Sequence, residues 1–375
     1  MMRVLFAGGG TGGHLYPALA LGTALRKERP GAEVHYVGAI RGVESRVLPA
    51  RGEPHTLLPF EPIRRSEPWR NWRLLPAMVR SLAALRRLFQ RFRPDLVVGT
   101  GGYASGPACA YAMLRRVPVA IQEQNSYPGL TTRWLSRGAR QVHLGFPEAG
   151  AYLHPGPRTE VFDSGNPIVP PAPIDRSAAR AEFGLRPDGH VVLVVGGSQG
   201  ALAINEALLA AVRAAQAGEL SSPPADLQLL WATGPAHIGM VERGLADAAV
   251  GDWVRPVAYI DEMPKALAAA DVAISRAGAM ATAELLAWRI PSILIPLPTA
   301  AADHQTHNAR ALAEAGAAVW IAQADLTPAL LWRRLLELVG DDARRAEMAR
   351  RAGERARPDA ARDIVRHLIE LVESR

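Results

Sequence analysis

Two glycine-rich stretches of this chain sit beside side chains that can move a proton or hold an anion. Gly8-Gly9-Gly10-Thr11-Gly12-Gly13-His14 follows the apolar run Arg3 to Ala7, and Gly196-Gly197-Ser198-Gln199-Gly200 follows Val191 to Val195. Each reads as a buried strand, a glycine turn and a helix, the helices predicted from Pro17 to Leu25 and from Ala203 to Ala214. A helix that starts behind a glycine turn offers unpaired N–H groups and a positive dipole end, which suit phosphate. His14 adds an imidazole of the kind that exchanges protons near neutral pH. Ser198 adds a hydroxyl that can donate to a phosphate oxygen or simply cap the helix. Two plainer readings stay open. Either loop can be a tight strand-to-helix connection, and Gly8, Gly10 and Gly13 match the dinucleotide pattern G-x-G-x-x-G. That pattern wants an acid closing the second strand, whereas Glu33 opens the strand Glu33 to Val37. His304 and His307 have the spacing of a metal pair, but no third ligand accompanies them and no metal is expected.

The elements that must carry these residues alternate. In the first half strands are predicted at 3–7, 33–37, 95–99, 117–121 and 140–144, with helices at 17–28, 42–50, 71–92, 106–115 and 129–137. In the second half strands fall near 191–195, 227–232, 254–257, 272–275, 292–296 and 317–321. Helices at 203–215, 264–269, 280–287 and 306–314 lie between them, and the chain beyond Thr327 is helical. This alternation argues for parallel sheets covered by helices on both faces. Pro147 to Pro173, rich in proline and glycine, reads as the connection between two domains, with the two glycine loops facing a shared cleft. Domains are expected at 1–163 and 164–345, and a helical segment at 346–375 packing back towards the first.

A chain of 375 residues that is 49% apolar has material for two cores. Its one cysteine, Cys109, lies in an apolar stretch, which excludes a disulfide framework and suits a reducing compartment. The chain opens on a core strand with no signal-peptide pattern, and no apolar run approaches the ~18–20 residues that span a bilayer. The net charge of +7 comes almost wholly from arginine, since Lys27 and Lys265 are the only lysines. Between Arg64 and Arg93 nine arginines and one acid, Glu67, mingle with Trp69, Trp72, Met78, Leu82, Phe89 and other apolar residues. A basic, apolar helix of this kind suits a membrane surface, and an arginine-coated domain helix is the plainer alternative. No nucleic-acid-binding motif accompanies it, so no nucleic acid partner is expected.

Seven motifs stand in order: Gly10-Thr11-Gly12-Gly13-His14, Gly101-Gly102-Tyr103-Ala104-Ser105-Gly106-Pro107, Glu123-Gln124-Asn125, Gly196 to Gly200, Tyr259-Ile260-Asp261-Glu262-Met263, Ser275-Arg276-Ala277-Gly278-Ala279 and Asp303-His304-Gln305-Thr306-His307-Asn308-Ala309. Together, over residues 3 to about 320, the chain closely resembles the MurG family of bacterial peptidoglycan N-acetylglucosaminyltransferases. The resemblance implies an α/β fold of the GT-B glycosyltransferase type, two Rossmann-like parallel-sheet domains facing a cleft. It implies an inverting transfer of GlcNAc from UDP-GlcNAc to the MurNAc 4-hydroxyl of lipid I, giving lipid II. UDP-GlcNAc is then a substrate, and no cofactor or metal is implied. The implied partners are UDP-GlcNAc, lipid I, an anionic membrane surface met by residues 64–93, and proteins of cell-wall synthesis or division. The implied place is the cytoplasmic side of the cell membrane.

Carried onto this chain, the resemblance makes His14 and Glu123 the catalytic candidates, with either as the base. Thr11, Gly12 and Gly13 count among the donor contacts, and their loop also reads as a cradle for the lipid diphosphate. Asn125 meets the donor sugar; Gly197, Ser198 and Gln199 meet the leaving diphosphate. Ile260 reads the uracil edge through its backbone, and Ala279, Met280, Ala281, Thr282 and Ala283 line the donor at a helix start. Glu284, expected in the first turn of that helix, accepts from the ribose hydroxyls, while His304 and Gln305 hold the GlcNAc hydroxyls. Gly102, Tyr103 and Ser105 belong to the acceptor side. The chain departs from the pattern twice, with Gln122 in place of a histidine and Val169 in place of a nucleotide-contacting arginine, for which Arg158 or Arg176 could substitute. Two rivals remain: a related transferase with another acceptor, which the Gly101–Pro107 loop and Glu123-Gln124-Asn125 oppose, and a non-catalytic nucleotide-sugar or membrane scaffold protein, which the retention of His14, Glu123, Glu284 and Gln305 opposes and which turnover of UDP-GlcNAc into UDP would decide.

Overall fold

A computed structural model describes residues 1–60, 75–197 and 199–374. The strands β1 (Arg3–Ala7), β2 (Glu33–Ala39), β3 (His55–Leu58), β4 (Leu96–Gly99), β5 (Val119–Glu123), β6 (Gln141–Leu144) and β7 (Glu160–Asp163) form a parallel sheet in the order β3-β2-β1-β4-β5-β6-β7. Helices α1 (Gly12–Glu28), α2 (Glu44–Ala50), α3 (Leu75–Phe92), α4 (Ser105–Leu114) and α5 (Leu130–Leu135) connect them. The alternation of side chains along β1 divides its neighbours. Val4 and Phe6 enter the core formed with Leu15, Leu21 and Leu25 of α1. Leu5 and Ala7 enter the core on the other face with Leu85 and Leu88 of α3 and Cys109 of α4. Both faces are buried, which is why β1 reads as a continuous apolar run.

A second parallel sheet orders β8 (His190–Val195), β9 (Leu227–Ala232), β10 (Val254–Val257), β11 (Val272–Ser275), β12 (Ser292–Leu294) and β13 (Ala318–Trp320) as β10-β9-β8-β11-β12-β13. Its helices are α6 (Arg176–Glu182), α7 (Leu202–Gln216), α8 (Ile238–Asp247), α9 (Met263–Ala269), α10 (Ala279–Ala287), α11 (His304–Glu314), α12 (Pro328–Val339) and α13 (Asp342–Arg355). Trp231 and Trp332 are fully buried in its core. A last helix, α14 (Ala360–Glu373), packs on α1 through Ile364, Val365, Leu368 and Leu371. The chain thus divides into unit 1, Met1–Val169 with Arg357–Arg375, and unit 2, Pro170–Ala356. In each sheet the strand order reverses beside the first strand, β1 or β8, so each glycine loop leaves the sheet at its switch point.

Four elements escape the sequence reading: β3, β7, α6 and α8. The stretch 147–173, read as a connection, contains β7, which pairs with β6 at the sheet edge and whose residues are largely exposed. The expected boundary after 163 falls inside unit 1, where Asn166 Nδ2 still donates to the Gln124 carbonyl at 3.0 Å. That after 345 falls inside α13. Of the basic segment 64–93, residues 75–92 form α3, and Arg64, Arg65, Trp69, Arg70, Trp72 and Arg73 lie outside the described residues.

Candidate active site

In unit 1 the first glycine loop ends at Thr11, and α1 begins at Gly12, so His14 stands in its first turn. The N–H groups of Gly12 and Gly13 meet no acceptor among the described residues, which leaves the helix start open to an anion. His14 Nδ1 lies 3.1 Å from both the Thr100 carbonyl and Gln124 Oε1. Thr100 closes the contact from its other end, its hydroxyl donating to the His14 carbonyl at 2.8 Å. The loop after β4 lies against the imidazole. A Cβ on Gly101 would stand 2.6 Å from His14 Nδ1, and one on Gly102 would stand 1.9 Å from the Gly9 carbonyl. Both have positive φ, so glycine is required there for space and for conformation.

The other acceptor-side candidates have structural contacts of their own. The Tyr103 ring lies over Gly10, whose added Cβ would sit 2.7 Å from Cε1. Ser105 is buried and its hydroxyl donates to the Gly102 carbonyl at 2.9 Å, bracing the loop. Glu123, also buried, accepts from the Asn125 N–H at 3.1 Å and the Gly129 N–H at 3.3 Å. It thereby shapes the loop that carries Asn125. A residue that sequence reasoning missed lies beneath the first glycine loop. Glu44 is fully buried, and its carboxylate accepts from the Gly10 N–H at 2.9 and 3.0 Å and from the Ala39 N–H at 2.7 Å. The Gly10 amide is therefore spent on a protein carboxylate and is not part of an anion cradle. The signal lay in Gly9, Gly38 and Gly42, where a Cβ would come within 2.2 Å of Glu44 atoms.

In unit 2 the second glycine loop closes on itself, Gly200 N–H donating to the Gly197 carbonyl at 2.9 Å, and α7 starts only at Leu202. Gln199 therefore precedes the helix start instead of forming it, and Ser198 lies outside the described residues. A cavity of about 540 Å³ opens beside this loop, a size ordinary for a drug-sized ligand. Gly197, Ala203, Glu206, Arg276, Ala281 and Gln305 are among its walls. Arg276 donates through Nη1 to the Ile295 and Pro296 carbonyls at 3.1 Å each, and burial pushes its guanidinium pKa down. Arg276 and Glu206 were not singled out as ligand contacts in the sequence; Glu206 follows Leu202 by one helical turn, which puts it on the same face.

The remaining donor candidates lie around α10 and α11. Ala279, Met280 and Ala281 form the first turn of α10, the end of a helix where the dipole is positive. Thr282 is buried and its hydroxyl donates back to the Gly278 and Ala279 carbonyls at 3.0 and 3.1 Å. Ala283 follows it in the second turn. Glu284 is the sixth residue of α10, a turn later than expected. It is half-buried without a cation among the described residues, and burial pushes its carboxyl up to about 7. Gln305 Oε1 accepts from the Leu297 N–H at 3.0 Å, and His304 Nδ1 donates to the Ala301 carbonyl at 2.7 Å. The turn before them holds Ala302 and Asp303 at φ of 54° and 53°, costing about 1–2 kcal/mol each for residues with a Cβ. Ile260 is buried outside the cavity wall. Arg176, the possible stand-in for the missing arginine, is committed to Asp271, while Arg158 is exposed in unit 1.

Two parallel-sheet domains of this topology, each with a glycine loop at its switch point, make up the GT-B fold of glycosyltransferases. Residues 4–144 match the glycosyltransferase family 28 N-terminal domain and residues 191–364 the family 28 C-terminal domain. The chain belongs to the MurG family. It is 41% identical to the UDP-N-acetylglucosamine–N-acetylmuramyl-(pentapeptide) pyrophosphoryl-undecaprenol N-acetylglucosamine transferase of Moorella thermoacetica, with 100% of each chain covered. It is also 41% identical to the enzyme of the same name from Salinibacter ruber, covering 99% of this chain and 97% of that one. The crystal structure of Acinetobacter baumannii MurG is similar over 100% of both chains, with a TM-score of 0.77 and 29% identity.

Proposed function

We propose that this chain transfers GlcNAc from UDP-GlcNAc to the MurNAc 4-hydroxyl of lipid I, with inversion at the anomeric carbon, to make lipid II for peptidoglycan. The observation that carries this reading is the 41% identity, along the whole length, to relatives named for that transfer. In the proposed step the acceptor oxygen attacks the anomeric carbon, the bond from that carbon to the UDP oxygen breaks, and the acceptor proton passes to His14 Nε2. Both oxygens of Glu123 already accept backbone N–H groups, whereas no described residue bonds to His14 Nε2. This favours His14 as the base. The leaving UDP gains negative charge, which the N–H groups at the start of α10 and the Arg276 guanidinium offset without moving. The Glu284 carboxylate accepts from the ribose hydroxyls.

The same reading places the chain at the cytoplasmic face of the membrane that holds its acceptor. Among the described residues no helix is long and apolar enough to cross a bilayer. The first half of α3 exposes Leu75, Met78, Val79 and Leu82, and Arg80, Arg86, Arg87 and Arg91 are exposed along the same helix. Apolar residues among arginines suit an anionic lipid surface, the one entering the interface and the other staying at the headgroups. UDP release from UDP-GlcNAc, measured with and without a lipid I analogue, tests the proposal. Release that depends on the analogue is expected; equal release without it would mean hydrolysis, and no release in either case a binding protein.

A further inference from the structure

Behind His14 three buried carboxamides hold one another in order. Asn166, Gln122 and Gln124 are each at most 2% exposed. Gln122 Nε2 donates to Asn166 Oδ1 at 3.0 Å, and Asn166 Nδ2 donates to the Gln124 carbonyl at 3.0 Å. Gln124 Nε2 faces three oxygens: the Thr100 carbonyl at 2.9 Å, the Gln122 carbonyl at 3.0 Å, and Gln122 Oε1. Turning the Gln124 amide over would set its oxygen against all three, so its orientation is fixed by its surroundings. Its Oε1 is thereby aimed at His14 Nδ1. The second neighbour of that nitrogen, the Thr100 carbonyl, is also an acceptor only.

We infer that Gln124 is a positioning residue that holds the neutral His14 ring in one tautomer, protonated at Nδ1 and bare at Nε2. A neutral imidazole has a single N–H, and two acceptors at one nitrogen place it there. The partner is an amide, not a carboxylate. An anion at this position would raise the proton affinity of the ring and favour the imidazolium before any acceptor proton arrives. The amide orients the ring without that bias. The inference deepens the reading of His14 as base and rests on it for its effect on turnover, while the tautomer itself is measured separately.

The test is a long-range ¹H–¹⁵N spectrum of the full chain labelled in histidine, at a pH where the ring is neutral, with the His14 signals identified by their loss in His14→Gln. Wild type should give a protonated-type Nδ1 and an unprotonated-type Nε2. In Gln124→Met, which fills similar space without the acceptor, the Nε2–H form should grow. Turnover should fall about 10- to 100-fold in kcat for Gln124→Met, with the KM for UDP-GlcNAc within about twofold. A wild-type ring protonated at Nε2 overturns the inference and needs no variant to fold. An unchanged ring in Gln124→Met also overturns it, leaving the tautomer to Thr100 alone. A tautomer that shifts while kcat stays constant upholds the inference and removes His14 from proton transfer.

Discussion

A carboxyl group shielded from water and given no cation keeps its proton to higher pH, and Glu284 is pushed up to about 7 from an ordinary 4.5. Between those two values the folded state holds a proton that the unfolded state has lost. Stability contributed by the protonated group is complete below pH 4.5 and is lost as pH rises towards 7. Thermal melts should therefore show wild type losing more Tm between pH 5 and pH 8 than Glu284→Gln. In turnover, Glu284→Ala should raise the KM for UDP-GlcNAc about 10- to 150-fold, the equivalent of about 1.5–3 kcal/mol for hydrogen bonds to a charged acceptor. An unchanged KM would remove it from the donor site. Glu44 gives the opposite case, a buried carboxylate satisfied by the backbone. Glu44→Ala should cost about 1–3 kcal/mol for each of the Gly10 and Ala39 amides it orphans, seen as a lower urea midpoint. Glu44→Gln should recover part of that. His14, Glu284 and Gln305 could be proposed from the sequence because the motifs that carry them are local. Glu44 and Gln124 could not, since their roles depend on Gly10, Thr100 and Asn166, which only the folded sheet brings near.

Elements buried on both faces were the ones their residues announced. β1, β9 and β11 are apolar apart from one polar residue each, Arg3, Gln228 and Ser275, and the expected spans coincide with the observed ones. The short edge strands β3 and β7 were missed because half-exposed edges need no such run, and His55-Thr56-Leu57-Leu58 and Glu160-Val161-Phe162-Asp163 look like loop. α3 shows both kinds of surface within one helix. Leu85, Leu88 and Phe89 bind its second half to the sheet, while Leu75, Met78, Val79 and Leu82 of its first half are exposed. Replacing Arg80, Arg86, Arg87 and Arg91 by Gln should weaken binding to anionic liposomes, each arginine contributing about 1 kcal/mol at most near such a surface. Wild-type binding should fall with added salt, and turnover of a short-chain soluble acceptor should be spared. Equal liposome binding by variant and wild type would make α3 an ordinary domain face.

At the scale of the molecule, unit 1 is assembled from both ends of the described chain. α14 puts Ile364, Val365, Leu368 and Leu371 into the core that surrounds β1 and α1. Burying side chains of this kind contributes about 1.5–3 kcal/mol each, so the four together rival the 5–15 kcal/mol by which a domain is stable. The exposed pairs Arg29–Glu373 and Arg357–Asp163, both at 2.7 Å, add little beside this. Removing residues 357–375 should leave unit 1 unfolded while unit 2, whose own core lacks them, keeps a cooperative melt. Two intact transitions in the truncated chain would refute this. The doubled strand–loop–helix unit made two domains legible in the sequence, where the helical segment 346–375 is expected to pack back towards the first; in the structure residues 357–375, with α14, lie in unit 1, while residues 346–356 belong to unit 2.

That division of unit 1 sets an order of events during synthesis. The ribosome emits the first 169 residues early, yet the helix that closes their core follows only after residues 170–356. At ~5–20 residues per second that interval is about 10–40 s. Throughout it the α1 face that α14 will cover stays open on the nascent chain, a ready site for a chaperone. The domain begun second is therefore finished first.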